Sequence, residues 1–218
     1  MLHNGIFNQK IKTMKSLLTI LLLFSFLLVF GQKENHANCE TAQEVFDKKT
    51  ITVEKMSVNR KEDEKISQIS CFASELIPDV DYKNLSENIY WLTWECSKSG
   101  TLEFLITPNE QKDDIDFVVF AITDFQKSCT DKKIIRCMAM GDNEYPSPCL
   151  GVTGLKKNET AEFKNVGCQK GNQTNFLKEL NMKEGEIFFL GLINFSSKSG
   201  FSIKFNGDGL IGNENPEK

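Results

Sequence analysis

The chain has 218 residues, a net charge of −4 at neutral pH and a hydrophobic fraction of 40%. That hydrophobic fraction excludes a chain that is disordered throughout. The acidic balance is a poor match for a nucleic-acid backbone, which calls for clustered Lys and Arg. We therefore expect a globular protein that does not bind nucleic acid.

An uncharged apolar run occupies residues 16–30 and is preceded by three lysines. It is shorter than the roughly 20 residues that a membrane-spanning helix needs. With small residues at its end, it is typical of a secretory signal peptide over residues 1–31, for which Met14 is the more natural start. An uncleaved anchor is the alternative, and the length of the run disfavours it.

Export defines the expected organisation of the rest of the chain. Loss of the leader and its three lysines changes the net charge from −4 to −7. The remaining length is enough for one domain, which we assign to residues 32–211, with a polar tail at 212–218. We expect no membrane span after cleavage, and a secreted, periplasmic or cell-surface protein.

Seven cysteines follow the leader, and in an exported protein they predict disulfides. Zinc would require CxxC-type pairs or several histidines, and the chain after the leader has no such pair and a single histidine, His36. One thiol must remain over, and we assign it to Cys96, which alternates with Trp94 and Leu92 in a strand pattern and should be a buried apolar side chain. The predicted disulfide cysteines are Cys39, Cys71, Cys129, Cys137, Cys149 and Cys168.

The first half of the domain contains one short helix or turn at 39–46, followed by strand patterns. Residues 50–56 alternate with period two, and 59–65 form a charged loop. Residues 88–108 contain two alternating runs around "SKSG", which predicts a β-hairpin. Tyr90, Leu92 and Trp94 would then share a core face with Leu102, Phe104 and Ile106.

The second half continues with short strands. Residues 117–122 are apolar on both faces, which predicts a central strand, and a Pro- and Gly-rich irregular loop covers 141–154. The segment 176–182 suits a strand or a helical face. Further strands are predicted at 132–140, 160–166, 186–195 and 200–205, the last two joined by the Gly-ended turn "SSKSG". About eight short strands predict an all-β fold, an antiparallel sandwich or jelly roll stapled by disulfides.

The chain lacks the catalytic groups that several enzyme classes need. His36 is the single histidine after the leader, which excludes Ser-His-Asp and Cys-His mechanisms and histidine-ligated zinc. Phosphate-binding glycine loops and dinucleotide fingerprints are missing as well. The residue types present do not exclude a hydrolase that uses two carboxylates. We expect a protein that is not an enzyme.

Three aspartates, Asp113, Asp114 and Asp116, precede the apolar strand pattern at 117–122. In an extended chain Asp114 and Asp116 point to one face, which continues through apolar residues, and an unpartnered carboxylate there is costly. Two interpretations stand side by side. The carboxylates bind Ca²⁺, which takes hard oxygen ligands, or they cap a turn and keep the strand edge soluble.

The stretches "SGTLEFLITPNEQKDDIDFVVFAI" and "GEIFFLGLINFSSKSGFSIKF" resemble the bacterial pre-peptidase C-terminal type of β-sandwich. "CTDKKIIRCMAMGDN", "CLGVTGL" and "GCQKGNQTNFLKELNM" are similar to a module of exported cell-surface proteins of Bacteroidetes, often found with PKD-like repeats and type IX secretion. The resemblance spans residues 38–211. It implies surface display or adhesion without catalytic residues, and it places calcium at Asp113, Asp114 and Asp116.

The expected function is therefore binding, adhesion or surface assembly, with an extracellular protein or polysaccharide as partner. An accessory carbohydrate-binding module is the alternative, and it would need exposed aromatic side chains. Trp91 alternates with Trp94 and faces either a packed edge or solvent, where it could be a contact platform.

Disulfide pairing gives a first prediction. Because short loops separate the predicted strands, we expect Cys129–Cys137 and Cys149–Cys168, with Cys39 bonded to Cys71. Peptide mapping under non-reducing conditions checks these pairs, and any other set of linked peptides would exclude them.

Overall fold

Strands dominate the described part of this computed structural model, which comprises residues 36–56, 89–122, 132–140, 147, 149–164 and 174–212. These residues belong to one compact unit over residues 35–218. Within them the single helical element is a 3₁₀-helix, Cys39–Thr41, and no helix is long and apolar enough to cross a membrane. The predicted leader at 1–31 and the charged loop at 59–65 lie outside the described residues.

Seven strands form the first sheet. Its order is β1-β3-β11-β5-β6-β8, and β13 also pairs with β3. The strands are β1 (Gln43–Glu44), β3 (Ile89–Lys98), β5 (Ile115–Ile122), β6 (Lys132–Met138), β8 (Phe163–Lys164), β11 (Ile187–Asn194) and β13 (Leu210–Ile211).

Six strands form the second sheet. Its order is β2-β12-β4-β7-β9, and β10 also pairs with β4. The strands are β2 (Ile51–Lys55), β4 (Gly100–Pro108), β7 (Thr153–Lys156), β9 (Phe176–Lys178), β10 (Leu180–Met182) and β12 (Ser199–Asn206).

The all-β sandwich is confirmed, but its sheets are mixed rather than purely antiparallel. The long central pairs, such as β3 with β11 and β4 with β12, are antiparallel. The pairs β1–β3, β6–β8 and β7–β9 are parallel and involve strands of two to four residues on one side. Alternation in a sequence shows that a segment is a strand but carries no information on strand direction, so these short pairs were missed.

The predicted hairpin at 88–108 is wrong in its pairing, although both of its strands exist. β3 lies in the first sheet and β4 in the second, so the turn between them crosses the sandwich. A Cβ atom on Gly100 would lie 2.5 Å from the backbone nitrogen of Gly209, which shows how closely this turn approaches a neighbouring loop. The connection from β11 to β12 crosses between the sheets in the same way. Two consecutive strands can pair in one sheet or pack over each other from opposite sheets. β3 and β4 lie in opposite sheets, so their apolar faces meet across the core.

Short elements were predicted in part. The short helix or turn expected at 39–46 is a 3₁₀-helix followed by β1, and of the two alternatives for 176–182 the structure has strands, β9 and β10. The loop predicted at 141–154 runs into β7, which begins at Thr153. A four-residue strand with a glycine in it gives too little alternation to be recognised in a sequence.

Side chains from both sheets fill the space between them. Trp94 stacks on Phe188 in its own sheet and meets Phe205 of the other sheet edge-on, with ring centroids 5.7 and 5.8 Å apart. Phe104 connects the sheets again through its edge contact with Phe117. The shared core face predicted for the two runs at 88–108 is confirmed: Tyr90, Leu92, Trp94, Leu102, Phe104 and Ile106 all belong to this cluster.

A second apolar cluster covers the outer face of the first sheet. It contains Trp91, Val118, Phe120 and Phe189, together with Ala37 and Cys39 from the N-terminal segment. β5 is therefore buried on both faces between β11 and β6, which confirms the central strand expected at 117–122.

Candidate functional site

All three aspartates at the entrance of β5 are buried. Asp113 is 0%, Asp114 7% and Asp116 5% exposed. Asp113 and Asp114 end the loop that follows β4, and Asp116 is the second residue of β5. Because a buried carboxylate is costly without partners, each side chain must be explained by its contacts.

The Asp113 side chain binds the connection between β11 and β12. Its Oδ2 accepts hydrogen bonds of 2.8 Å from Asn194 Nδ2 and from Ser197 Oγ. Asn194 Oδ1 in turn accepts from the backbone N–H groups of Ser196 and Ser197. The other carboxylate oxygen of Asp113, Oδ1, is buried and has no hydrogen-bond partner among the described residues. Asp113 therefore holds a turn that joins the two sheets.

Backbone contacts strengthen the same junction. The N–H of Asp114 donates to Ser196 Oγ at 3.0 Å, and the Asp114 carbonyl accepts from the N–H of Phe195 at 2.9 Å. The Asp113 carbonyl accepts from the N–H of Gly151, just before β7. Three loops at one end of the sandwich are thus joined through two consecutive residues.

Asp116 faces the second apolar cluster rather than the sandwich interior. In β5 it alternates with Phe117, so its side chain lies on the face that continues through Val118 and Phe120, as the sequence predicted. Burial raises the pKa of Asp116 well above its ordinary value, and the negative charge of Asp114 raises it further. A hydrogen bond from the backbone N–H of Met140 partly offsets these effects. Asp116 is therefore protonated at pH values where an exposed aspartate is charged.

The three carboxylates do not form one ligand set. Asp113 turns to Asn194 and Ser197, whereas Asp114 and Asp116 influence each other. Within the described ranges, no group of three or more His, Cys, Asp or Glu side chains has the arrangement needed to hold a metal. Calcium takes six to eight oxygens, so these side chains alone do not complete a calcium site.

Of the two alternatives for Trp91, packing and a surface contact, the structure shows packing. Its side chain is fully buried in the second cluster, with its ring stacked on Phe120 at a centroid distance of 5.8 Å. Gly191 on the neighbouring strand has no side chain, and a Cβ there would lie 3.1 Å from the Trp91 ring. Alternation placed Trp91 opposite Trp94 correctly. It could not show that the N-terminal segment covers the outer face of the sheet.

Cys96 is the free and buried thiol that the sequence predicted. Burial raises the pKa of this thiol above its ordinary value, and the nearby carboxylates of Glu186, Glu184 and Glu95 add to the effect. A thiol with a raised pKa is a poor nucleophile, which fits a packing role.

Cys39, Cys137 and Cys149 are disulfide-bonded. The other three cysteines of the predicted set, Cys71, Cys129 and Cys168, lie outside the described residues, so the pairing stays a prediction.

An open acidic cleft lies at the end of β3, and sequence reasoning did not identify it. The cleft has a volume of about 580 Å³, and Glu44, Glu95 and Glu184 line it together with Phe46 and Ser97. Phe46 is 53% exposed, and the Ser97 hydroxyl is buried without a hydrogen-bond partner in the part of the chain that the structure describes. A smaller cavity of about 280 Å³ shares Glu44 and Glu95 and adds Glu40. The carboxylates come from three separated segments, so no sequence motif connects them.

No family model matches the chain, and no curated protein matches it. The resemblance to pre-peptidase C-terminal sandwiches therefore stays a prediction.

The raised pKa of Asp116 leads to a prediction about pH. Above pH 3.8 the folded state holds a proton that the unfolded state has released, so the free energy of unfolding falls as the pH rises toward the raised pKa. Asp116→Asn removes this cost and keeps an acceptor for Met140. We expect similar stability near pH 3.5, and at neutral pH a more stable variant, with the difference growing by up to about 1.4 kcal/mol per pH unit.

Urea unfolding from pH 3.5 to 8 in a chelating buffer measures this difference. Asp47→Asn is the control, because the Asp47 side chain is 37% exposed and its pKa is lowered, so its substitution gives no gain. A difference between wild type and Asp116→Asn that is constant over the whole pH range would contradict the prediction.

Proposed function

We propose that this chain is an exported, non-catalytic β-sandwich module that binds an extracellular partner or supports a surface assembly. The observation that carries the proposal is the contrast between its buried acids and its open surfaces. Asp113, Asp114 and Asp116 are buried in turns and under an apolar layer. The accessible carboxylates instead line an open cleft beside an exposed aromatic ring, which is an arrangement for recognising a cationic surface.

The two alternatives receive less support. A carbohydrate-binding module needs an exposed aromatic platform, and Trp91 is fully buried. The ring of Phe176 on the outer face of the second sheet is covered by Lys156, whose Nζ lies 3.4 Å from the ring centroid. A two-carboxylate hydrolase would need two close, partly buried acids in a cleft that admits substrate. Asp114 and Asp116 are nearly inaccessible, and the glutamates that line the open cleft are exposed rather than partly buried.

Disulfides and calcium are the stabilising elements of the proposal. For an exported module of this kind, we propose that six cysteines form three disulfides and that Cys96 stays reduced. For calcium, Asp114 and Asp116 are the candidate ligands, because their carboxyls lie close enough for the charge of one to shift the pKa of the other. Further oxygens would have to come from backbone carbonyls, from water or from residues outside the described ones.

Binding without turnover is the first test of the proposal. The protein from residue 32 onward is run through gels that contain immobilised bacterial polysaccharides or envelope proteins. Its migration should be retarded, and the retardation should saturate. Reducing-end and peptide-release assays on the same materials should show no product. Product formation that disappears in Asp114→Asn plus Asp116→Asn would replace the proposal with the two-carboxylate hydrolase.

Calcium is tested by thermal unfolding. A ligand that binds only the folded state raises its stability by RT ln(1 + [L]/Kd), so 5 mM calcium should raise Tm by about 2–5 °C over chelator if the site is weak and extracellular. The double variant Asp114→Asn plus Asp116→Asn should lose this rise, and Asp47→Asn should keep it. A rise that persists in the double variant would place the ion elsewhere, and no rise in wild type would leave turn capping as the role of these aspartates.

A further inference from the structure

The outer face of the second sheet is open and basic, in contrast to the acidic cleft. A cavity of about 360 Å³ on this face is lined by Leu105, Lys156, Lys157 and Lys204, among others. Leu105 is 38% exposed. Glu103 is the single acid of this lining, and its Oε2 accepts a hydrogen bond from the backbone N–H of Lys157. We call this surface, Leu105 with the three lysines, the basic face.

The strand register explains how the basic face arises. Lys204 on β12 lies beside Leu105 on β4, which lies beside Gly154 on β7. Gly154 in turn lies beside Phe176 on β9. Phe104 and Ile106, the neighbours of Leu105 in the chain, point into the core. Across its outer face the sheet therefore presents a row that begins with the charged Lys204, continues with the exposed Leu105 and has a gap at Gly154, which has no side chain.

The acidic cleft has the complementary composition. Glu44, Glu95 and Glu184 surround an exposed phenylalanine, Phe46, whereas lysines surround Leu105 on the basic face. No ion pair involving these three glutamates occurs within the described residues. The same holds there for the three lysines. Among the described residues, each surface thus carries a net charge, and apart from Glu103 beside the basic face it is not balanced by an opposite charge.

We propose that the acidic cleft of one copy of this chain docks on the basic face of a second copy. Phe46 of the first copy packs against Leu105 of the second, and the cleft carboxylates pair with Lys157 and Lys204. Two different patches meet, so the contact is heterologous and repeats from copy to copy into a ring or a filament. The inference rests on the proposed function and deepens it, because it names the chain itself as the partner in a surface assembly.

Charge reversal on each patch tests the contact. Sedimentation velocity of the chain from residue 32 in low salt should show association that depends on protein concentration and falls as the salt concentration rises past about 0.3 M. Glu95→Lys and Lys204→Glu should each weaken association by about tenfold or more, because like charges then meet at the interface. The matched controls are Glu110→Lys and Lys133→Glu, which reverse exposed charges elsewhere and should associate as wild type does.

Mixing the two variants distinguishes this contact from other modes of association. A heterologous contact pairs the intact basic face of Glu95→Lys with the intact acidic cleft of Lys204→Glu, so an equimolar mixture should regain association that neither variant has alone. Association that the mixture does not restore would overturn the proposal. So would a wild type that stays monomeric in low salt, and this result would leave the binding and turnover assays of the proposed function unaffected.

The retardation assay supplies one further outcome. If Lys204→Glu abolishes retardation on an acidic polysaccharide while self-association is unchanged, the basic face binds a saccharide and the self-docking proposal is wrong.

Discussion

Face-to-face burial of two apolar strand surfaces is the constraint on which the rest of this structure depends. The rings of Trp94, Phe104, Phe117 and Phe205 contact one another across the space between the sheets. Burying an aromatic side chain of this size stabilises a fold by about 1.5–3 kcal/mol, and edge contacts between rings add about 0.5–1.5 kcal/mol. Most consecutive strands enter opposite sheets, so most turns at the ends of the sandwich must hold two layers together.

The need to hold the two sheets together at the turns explains where the polar side chains are buried. Asp113 and Asn194 join the loop before β5 to the turn between β11 and β12, and both are almost inaccessible to solvent. Arg136 has a similar part elsewhere: it is buried in β6 of the first sheet and donates to the backbone carbonyls of Lys178 and Glu179 beside β9 and β10 of the second. Buried charged groups of this kind are costly unless their hydrogen bonds are made, so these contacts fix which turn lies against which strand.

The proposed binding function uses the surfaces that the core leaves exposed. The acidic cleft and the basic face consist of outward-pointing residues whose neighbours in the chain, such as Trp94 beside Glu95 and Phe104 beside Leu105, are buried in the core. Core packing therefore fixes the direction in which the charged side chains point, although the core does not contact their charged groups. A rigid sandwich with oppositely charged patches is suited to reversible, salt-sensitive association, which the proposals for binding and self-assembly both use.

The sequence by itself determined the all-β class, most of the long strands, the central position of β5 and the free thiol of Cys96, because alternation and double-sided apolarity report directly on burial. It also showed that Asp114 and Asp116 share a face. Only the tertiary structure decided that the two glycine-ended turns cross between sheets, that the N-terminal segment covers Trp91 and that Asp113 binds Asn194. These features depend on contacts between residues that are far apart in the sequence. A strand that pairs with its neighbour in one sheet has the same local periodicity as a strand that packs over it from the other sheet, so periodicity cannot distinguish the two.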